Sequence, residues 1–154
     1  MSKVDFLKRR VESRELLMQL IYQMGITDDY SDSARKKFIS EHVVDKKDKL
    51  EPDYKYFNKL LKSFISNKDK IDEIISTASD NWKIDRISKV DIAILRLSVT
   101  EILFSNSVEI SEKVSINEAV ELAKIFGSEK SPSFINGLRG RIVREEAEND
   151  SKTN

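Results

Sequence analysis

A chain of 154 residues can bury a core of its own, about two-thirds of the surface its unfolded form exposes. Its 4 Gly and 2 Pro, set among 39% apolar and 35% charged residues, are too few to punctuate a turn-rich sheet. A formal net charge of zero excludes a globally basic nucleic-acid binder, and the lack of Cys excludes disulfides and thiolate metal sites. With no apolar run long enough for a signal sequence or a membrane span, these features describe a soluble cytoplasmic protein.

The patterning predicts an all-α chain of seven helical segments, read as one domain over residues 1–154. Only Met1 to about Val4, Val44 to Lys49 and about 148–154 look unstructured. The first helix carries Leu17, Leu20, Ile21 and Met24 on one apolar face and is expected to end at Gly25. A short second helix spans Asp32 to His42 behind a Ser31/Asp32 cap. The third starts near Pro52 and presents Phe57, Leu60, Leu61, Phe64 and Ile65. The fourth carries Ile71, Ile74, Ile75, Ala78 and Trp82.

The fifth segment opens with the capping pattern Ser88-x-x-Asp91 and is apolar around most of its circumference, so it belongs in the middle of a bundle. Arg96 interrupts it and reads as a buried, paired charge. The sixth is expected from Ser115, with Glu118 three residues on, to Gly127. The seventh runs from Ser131-Pro132 through Phe134, Leu138 and Ile142. Gly137 and Gly140 lie inside it, each costing about 1 kcal/mol of helix propensity, which suggests close approach of another backbone or of RNA.

The sequence holds one His, His42, no glycine-rich phosphate loop and no metal-ligand cluster, so no enzyme activity, cofactor or metal is expected. Glu145 and Glu146 sit in an acidic tail. Charge is concentrated at the other end, where Lys3, Lys8, Arg9, Arg10 and Arg14 face only Asp5 and Glu12 before residue 15. Single-stranded RNA is held by cations on its backbone and aromatic faces on its bases. Tyr22 lies roughly 160° from the centre of its helix's apolar stripe, so it meets another helix or an external ligand. Phe126 and Phe134 flank the turn from Gly127 to Ser133, placed for core packing or for base contact, with Lys130 in the same turn.

Three blocks carry a resemblance. Arg14-Glu15 followed by Gln19-Leu20-Ile21-Tyr22 lies on the first helix, and Asp91-Ile92-Ala93-Ile94-Leu95-Arg96-Leu97 with Glu101-Ile102 lies on the fifth. The third is Val114-Ser115-Ile116-Asn117-Glu118-Ala119-Val120-Glu121-Leu122-Ala123-Lys124, then Phe126-Gly127, then Phe134-Ile135-Asn136-Gly137. In this order and over nearly the whole chain, they resemble the NusB family of bacterial transcription antitermination factors.

The resemblance implies a seven-helix bundle built from two sub-bundles. It also implies a partner, the ribosomal protein NusE, and a ligand, the single-stranded boxA element of ribosomal RNA operons, whose capture helps RNA polymerase read through terminators. The RNA site it implies comprises Lys8, Arg9, Arg10, Arg14, Tyr22, Phe126, Lys130, Phe134 and Asn136. Tyr22 and Asp91 would contact NusE, although Asp91 also fits a plain cap. The chain departs from the family pattern where Val11-Glu12-Ser13 separates Arg9-Arg10 from Arg14, and where Arg139-Gly140-Arg141 follows Leu138.

The N-terminal domain of certain RNA cytosine methyltransferases is similar too. Such an enzyme needs a following Rossmann-like catalytic domain, and none is expected after Asn154. A helical scaffold that binds only protein is a third reading, and it would show no salt-dependent RNA affinity.

Overall fold

The computed structural model describes residues 2–42, 50–80, 86–105 and 111–153. Among them lie six helices and no strand: α1 (Lys3–Thr27), α2 (Asp32–His42), α3 (Tyr54–Ala78), α4 (Lys89–Leu103), α5 (Glu112–Phe126) and α6 (Ser131–Thr153). The all-α expectation holds, but the count of seven does not. The third and fourth predicted segments are one helix, α3, with a local break at Asn67 (φ −122°, ψ 15°). Neither Gly nor Pro stands near the break, and the Asn67 side chain donates to the Ser63 carbonyl at 2.8 Å, so the helix bends without ending. Trp82 and the stretch Val44 to Lys49 lie outside the described residues.

Four predicted boundaries shift. α1 begins at Lys3, capped by the Ser2 hydroxyl accepting from the Asp5 amide, where the chain was expected to be loose. It runs past Gly25 to Thr27 because Asp28 takes the left-handed position (φ 53°), which Asp tolerates better than most residues. α5 starts three residues before Ser115: Ser111 is the cap, accepting from the Val114 amide, and Ser115 is buried inside the helix. At the far end α6 continues helical through Thr153, beyond the expected boundary near residue 148.

The core forms around α4, which packs against α1, α3, α5 and α6. Every residue from Asp91 to Glu101 is buried, as its all-round apolar character requires. Leu17, Leu20, Ile21 and Met24 of α1 meet Phe57, Leu60, Phe64, Ile71 and Ile75 of α3 and Ile94 and Leu95 of α4 in one hydrophobic cluster. Phe38 is the anchor of α2 in the same cluster.

Arg96 is the paired buried charge the sequence implied. Its guanidinium donates to both Asp72 oxygens, at 2.8 and 2.9 Å, and to the Tyr30 hydroxyl at 3.3 Å. This pair also accounts for a glycine in the middle of α1. A Cβ on Gly25 would sit 3.3 Å from Arg96 Nη1, which its two carboxylate bonds prevent from yielding. Gly137 and Gly140 have no such motive: a Cβ on Gly137 would meet nothing within 4 Å, and one on Gly140 only the Arg144 side chain at 3.6 Å.

Removing a carboxylate that neutralises a buried cation costs about 3–5 kcal/mol, whereas an exposed ion pair contributes at most about 1 kcal/mol. Asp72→Ala is therefore expected to lower the unfolding free energy by at least about 3 kcal/mol in urea titrations. Asp32→Ala, which breaks only surface pairs with Arg35 and Lys36, should leave the unfolding free energy nearly unchanged by the same measurement.

Candidate nucleic-acid interface

The basic segment of α1 lies against the start of α3, and its four expected RNA contacts have different environments. Lys8 is exposed. Arg9 is half-buried and reaches across to the loop before α3, donating from Nε to the Glu51 carbonyl at 3.0 Å and from Nη2 to the Pro52 carbonyl at 3.5 Å. Ser13 completes this clasp: its hydroxyl accepts from the Asp53 amide at 2.7 Å. Arg10 is half-buried, with its guanidinium carbon 4.6 Å from the Phe6 ring centre and 4.4 Å from that of Tyr56.

Arg14 corrects the expectation. It is 5% exposed, and its Nε donates to Glu101 Oε2 at 2.8 Å. The same oxygen accepts the Tyr56 hydroxyl at 2.5 Å, and the Arg14 guanidinium lies 5.6 Å from the Tyr56 ring centre. Arg14 is thus a structural cation that does not reach a surface phosphate. The sequence held the signal, because Arg14 precedes Leu17 by three and Ile21 by seven and so shares their buried stripe. Burial acts to lower the Arg14 pKa, yet the charge and hydrogen bond of Glu101, helped by Tyr56 and Glu118, hold it above its ordinary value. Burial, then the Glu101 charge, pushes the Tyr56 hydroxyl well above the usual tyrosine range, which keeps it a donor.

Further along α1, Tyr22 is 38% exposed and faces away from the core, as its angular position predicted. Ile26, one turn on, is 53% exposed beside it. Asp91, the other expected partner contact, is buried at the start of α4. Its amide donates to the Ser88 hydroxyl at 3.1 Å, and its Oδ1 is enclosed with no hydrogen bond. The helix N-terminus favours a negative charge there.

The remaining expected contacts gather at the turn between α5 and α6. Gly127 ends α5 where only glycine fits, since a Cβ would lie 2.5 Å from the Ser131 side chain and 2.8 Å from the Ala123 carbonyl. Ser131 Oγ accepts from the Ser128 amide at 2.9 Å and fixes the turn. Lys130 and Asn136 are exposed, while Phe126 and Phe134 are partly buried against the core. Phe134 also walls an open cleft of about 410 Å³ between the end of α3 and α6, lined with it by Ala78, Asp80, Gly137, Leu138 and Arg141. The basic segment adjoins Tyr56 near the start of α3 and this cleft adjoins Ala78 at its end, so Arg10 and Phe134 lie at opposite ends of that helix.

Arg139 and Arg141 do not extend the basic surface. Arg139 is buried, donating to the Ser98 hydroxyl at 2.9 Å, and burial lowers its pKa. Arg141 is held by both Asp80 oxygens, at 3.1 and 2.7 Å, and by Glu145. Among the described residues no group of three His, Cys, Asp or Glu is placed to hold a metal ion, and no helix is long and apolar enough to cross a membrane.

Against known proteins, the sequence model described as "NusB family" matches residues 11–144. The chain belongs to the NusB family. A transcription antitermination protein NusB from Alkaliphilus oremlandii is 40% identical over 134 residues, covering 87% of this chain and 92% of that protein. Another from Natranaerobius thermophilus is 42% identical over 137 residues, 88% and 95% of the two chains. A solved structure of the antitermination factors NusB and NusE in complex with double-stranded RNA aligns with a TM-score of 0.75 and 26% identity, over 89% of this chain and 97% of that one. NusB proteins are antitermination factors and not enzymes, so this chain has no catalytic site to assign.

The position of Glu118 makes a pH test of this core. Glu118 borders a cavity of about 10 Å³ shared with Arg14, Ser98, Glu101 and Ser115, and burial raises its pKa above the ordinary 4.5, with Glu101 and Glu121 adding to the effect against Arg14. A carboxyl whose folded pKa is raised stabilises the fold below its unfolded pKa, and that stability is lost as pH rises through the folded value. Glu118→Gln cannot ionise. In urea titrations from about pH 4 to about pH 7 it should gain on the parent chain as pH rises. A constant difference between the two would contradict the burial of this carboxyl.

Proposed function

We propose that this protein is a transcription antitermination factor that binds single-stranded boxA-like RNA together with the ribosomal protein NusE. In that role it would promote read-through by RNA polymerase in ribosomal RNA operons, acting in the cytoplasm as a single domain. The observation that carries the reading is the placement of exposed cations and aromatic faces on one neutral protein of the NusB family. Lys8 and the half-buried Arg9 and Arg10 lie at one end of α3, and Phe126, Lys130, Phe134 and Asn136 lie near the other. A strand crossing from one group to the other would meet backbone-binding charge first and base-binding faces last.

The NusB of known structure with NusE carries double-stranded RNA. For this chain the single-stranded form is favoured by the cleft at Phe134, whose volume and apolar lining suit an unstacked base. The outward Tyr22 with Ile26 offers NusE an aromatic and apolar contact. Asp91, buried at the start of α4, would act on that partner through the position of the helix start more than by direct contact. The contacts of α1 with α3 and of α5 with α6 support a grouping into two sub-bundles joined through α4.

Fluorescence anisotropy with boxA-like RNA, single-stranded and duplex, with and without NusE, tests this reading. Each phosphate contact with a single strand contributes about −0.7 to the slope of log affinity against log salt. Lys8→Ala should weaken binding and flatten the slope by about 0.7, while Phe134→Ala should leave the slope unchanged and cost about 1–3 kcal/mol. RNA affinity that does not respond to salt would reduce the protein to a helical scaffold, and equal affinity for the duplex would remove the role of base stacking.

A further inference from the structure

We propose that Tyr56 is a positioning residue for RNA, holding the Arg10 guanidinium in place for a backbone phosphate through a relay that begins at the buried Arg14–Glu101 pair. The inference rests on the RNA reading above and adds to it a residue that contacts no RNA. Three observations carry it. Glu101 Oε2 receives Arg14 Nε at 2.8 Å and the Tyr56 hydroxyl at 2.5 Å, so the phenol is fixed at its far end. Tyr56 is 5% exposed, so its ring cannot turn away. The guanidinium carbon of Arg10 lies 4.4 Å from the centre of that ring and 4.6 Å from that of Phe6, which is 39% exposed at the protein surface.

The chemistry favours this arrangement. A guanidinium above an aromatic face is attracted by the ring's quadrupole, while its hydrogen bonds are made from its edges, in plane. Arg10 Nε is enclosed, so the terminal Nη groups are the ones a phosphate would meet. An arginine held by rings therefore loses less side-chain freedom on meeting RNA than one on a solvated helix face. Arg9 is positioned differently, by backbone carbonyls of the loop before α3. The α1 cations are thus set by α3, and the buried carboxylate on α4 sets the part of α3 that touches Arg10.

The test is the affinity of the full chain for single-stranded boxA-like RNA, measured by anisotropy over a salt series for the parent, Tyr56→Leu, Arg10→Ala and the double variant. Tyr56→Leu is expected to weaken binding several-fold and to flatten the salt slope toward that of Arg10→Ala, by up to about 0.7. It should have no further effect once Arg10 is Ala. Tyr56→Phe keeps the ring but releases it from Glu101, so it should flatten the slope in part, by less than Tyr56→Leu, and a slope equal to the parent's would overturn the relay's origin in the buried pair. Phe6→Leu, which disturbs no buried bond, should reproduce the Arg10-dependent loss in part and keeps the relay testable if Tyr56→Leu fails to fold. Equal loss from Tyr56→Leu with and without Arg10, or no loss at all, overturns the relay while the RNA reading stands. If Arg10→Ala itself changes neither affinity nor slope, the RNA role of this segment fails first, and the relay with it.

Discussion

The carboxylate of Glu101 is the constraint on which the arrangement of this protein turns. Withdrawing a carboxylate from water costs several kcal/mol even after relaxation, and only well-placed charge and hydrogen bonds recover it. Here one oxygen is satisfied from two directions, by Arg14 on α1 and by Tyr56 on α3. Any slip of α1 or α3 along α4 would leave a buried charge unmatched, so a single acid specifies the register of three helices. A second buried pair, Arg96 with Asp72, ties α4 to α3 on the other side of the break at Asn67. Between them these pairs hold both halves of the long α3 to the central helix.

That locking has a consequence at the surface. Because α3 is fixed at Tyr56, the loop before it is fixed as well, and the carbonyls of Glu51 and Pro52 stand where Arg9 can reach them. The basic segment of α1 is therefore an organised surface whose cations are oriented by neighbouring rings and backbone. The RNA-binding role proposed for this chain would give such orientation a purpose, since phosphate recognition by arginine depends on the direction of its N–H fork as much as on its charge.

Much of this architecture was legible in the sequence, and the failures have identifiable causes. The stripe of α1, the all-round burial of α4, the pairing of Arg96 and the outward face of Tyr22 all follow from helical periodicity and the cost of an unpaired charge, which act locally. The polar Ser66-Asn67-Lys68-Asp69 stretch looks like a linker between two helices, but the backbone leaves the helical region only at Asn67 and the helix resumes beyond it, so the two predicted segments are one. Gly25 looked like a helix end, but its reason is the Arg96 side chain on another helix. Arg14 shares the buried stripe of its helix, yet its partner stands 87 residues away, and a run of basic residues is ordinarily solvated. Tyr56 had no local signal at all, since its place in the site exists only where α1, α3 and α4 meet.

The most direct test of this account is a double-mutant cycle on the buried pair, with Arg14→Met, Glu101→Met and the double variant compared by urea denaturation. Each single change strands a buried polar partner and should cost about 3–5 kcal/mol, whereas the double change replaces both charges by apolar side chains of similar length. The predicted result is a double variant far more stable than the sum of the single losses implies, with a coupling of about 2 kcal/mol or more. Single losses that simply add would show that the two residues do not depend on one another, and would contradict the claim that this carboxylate sets the register of the bundle.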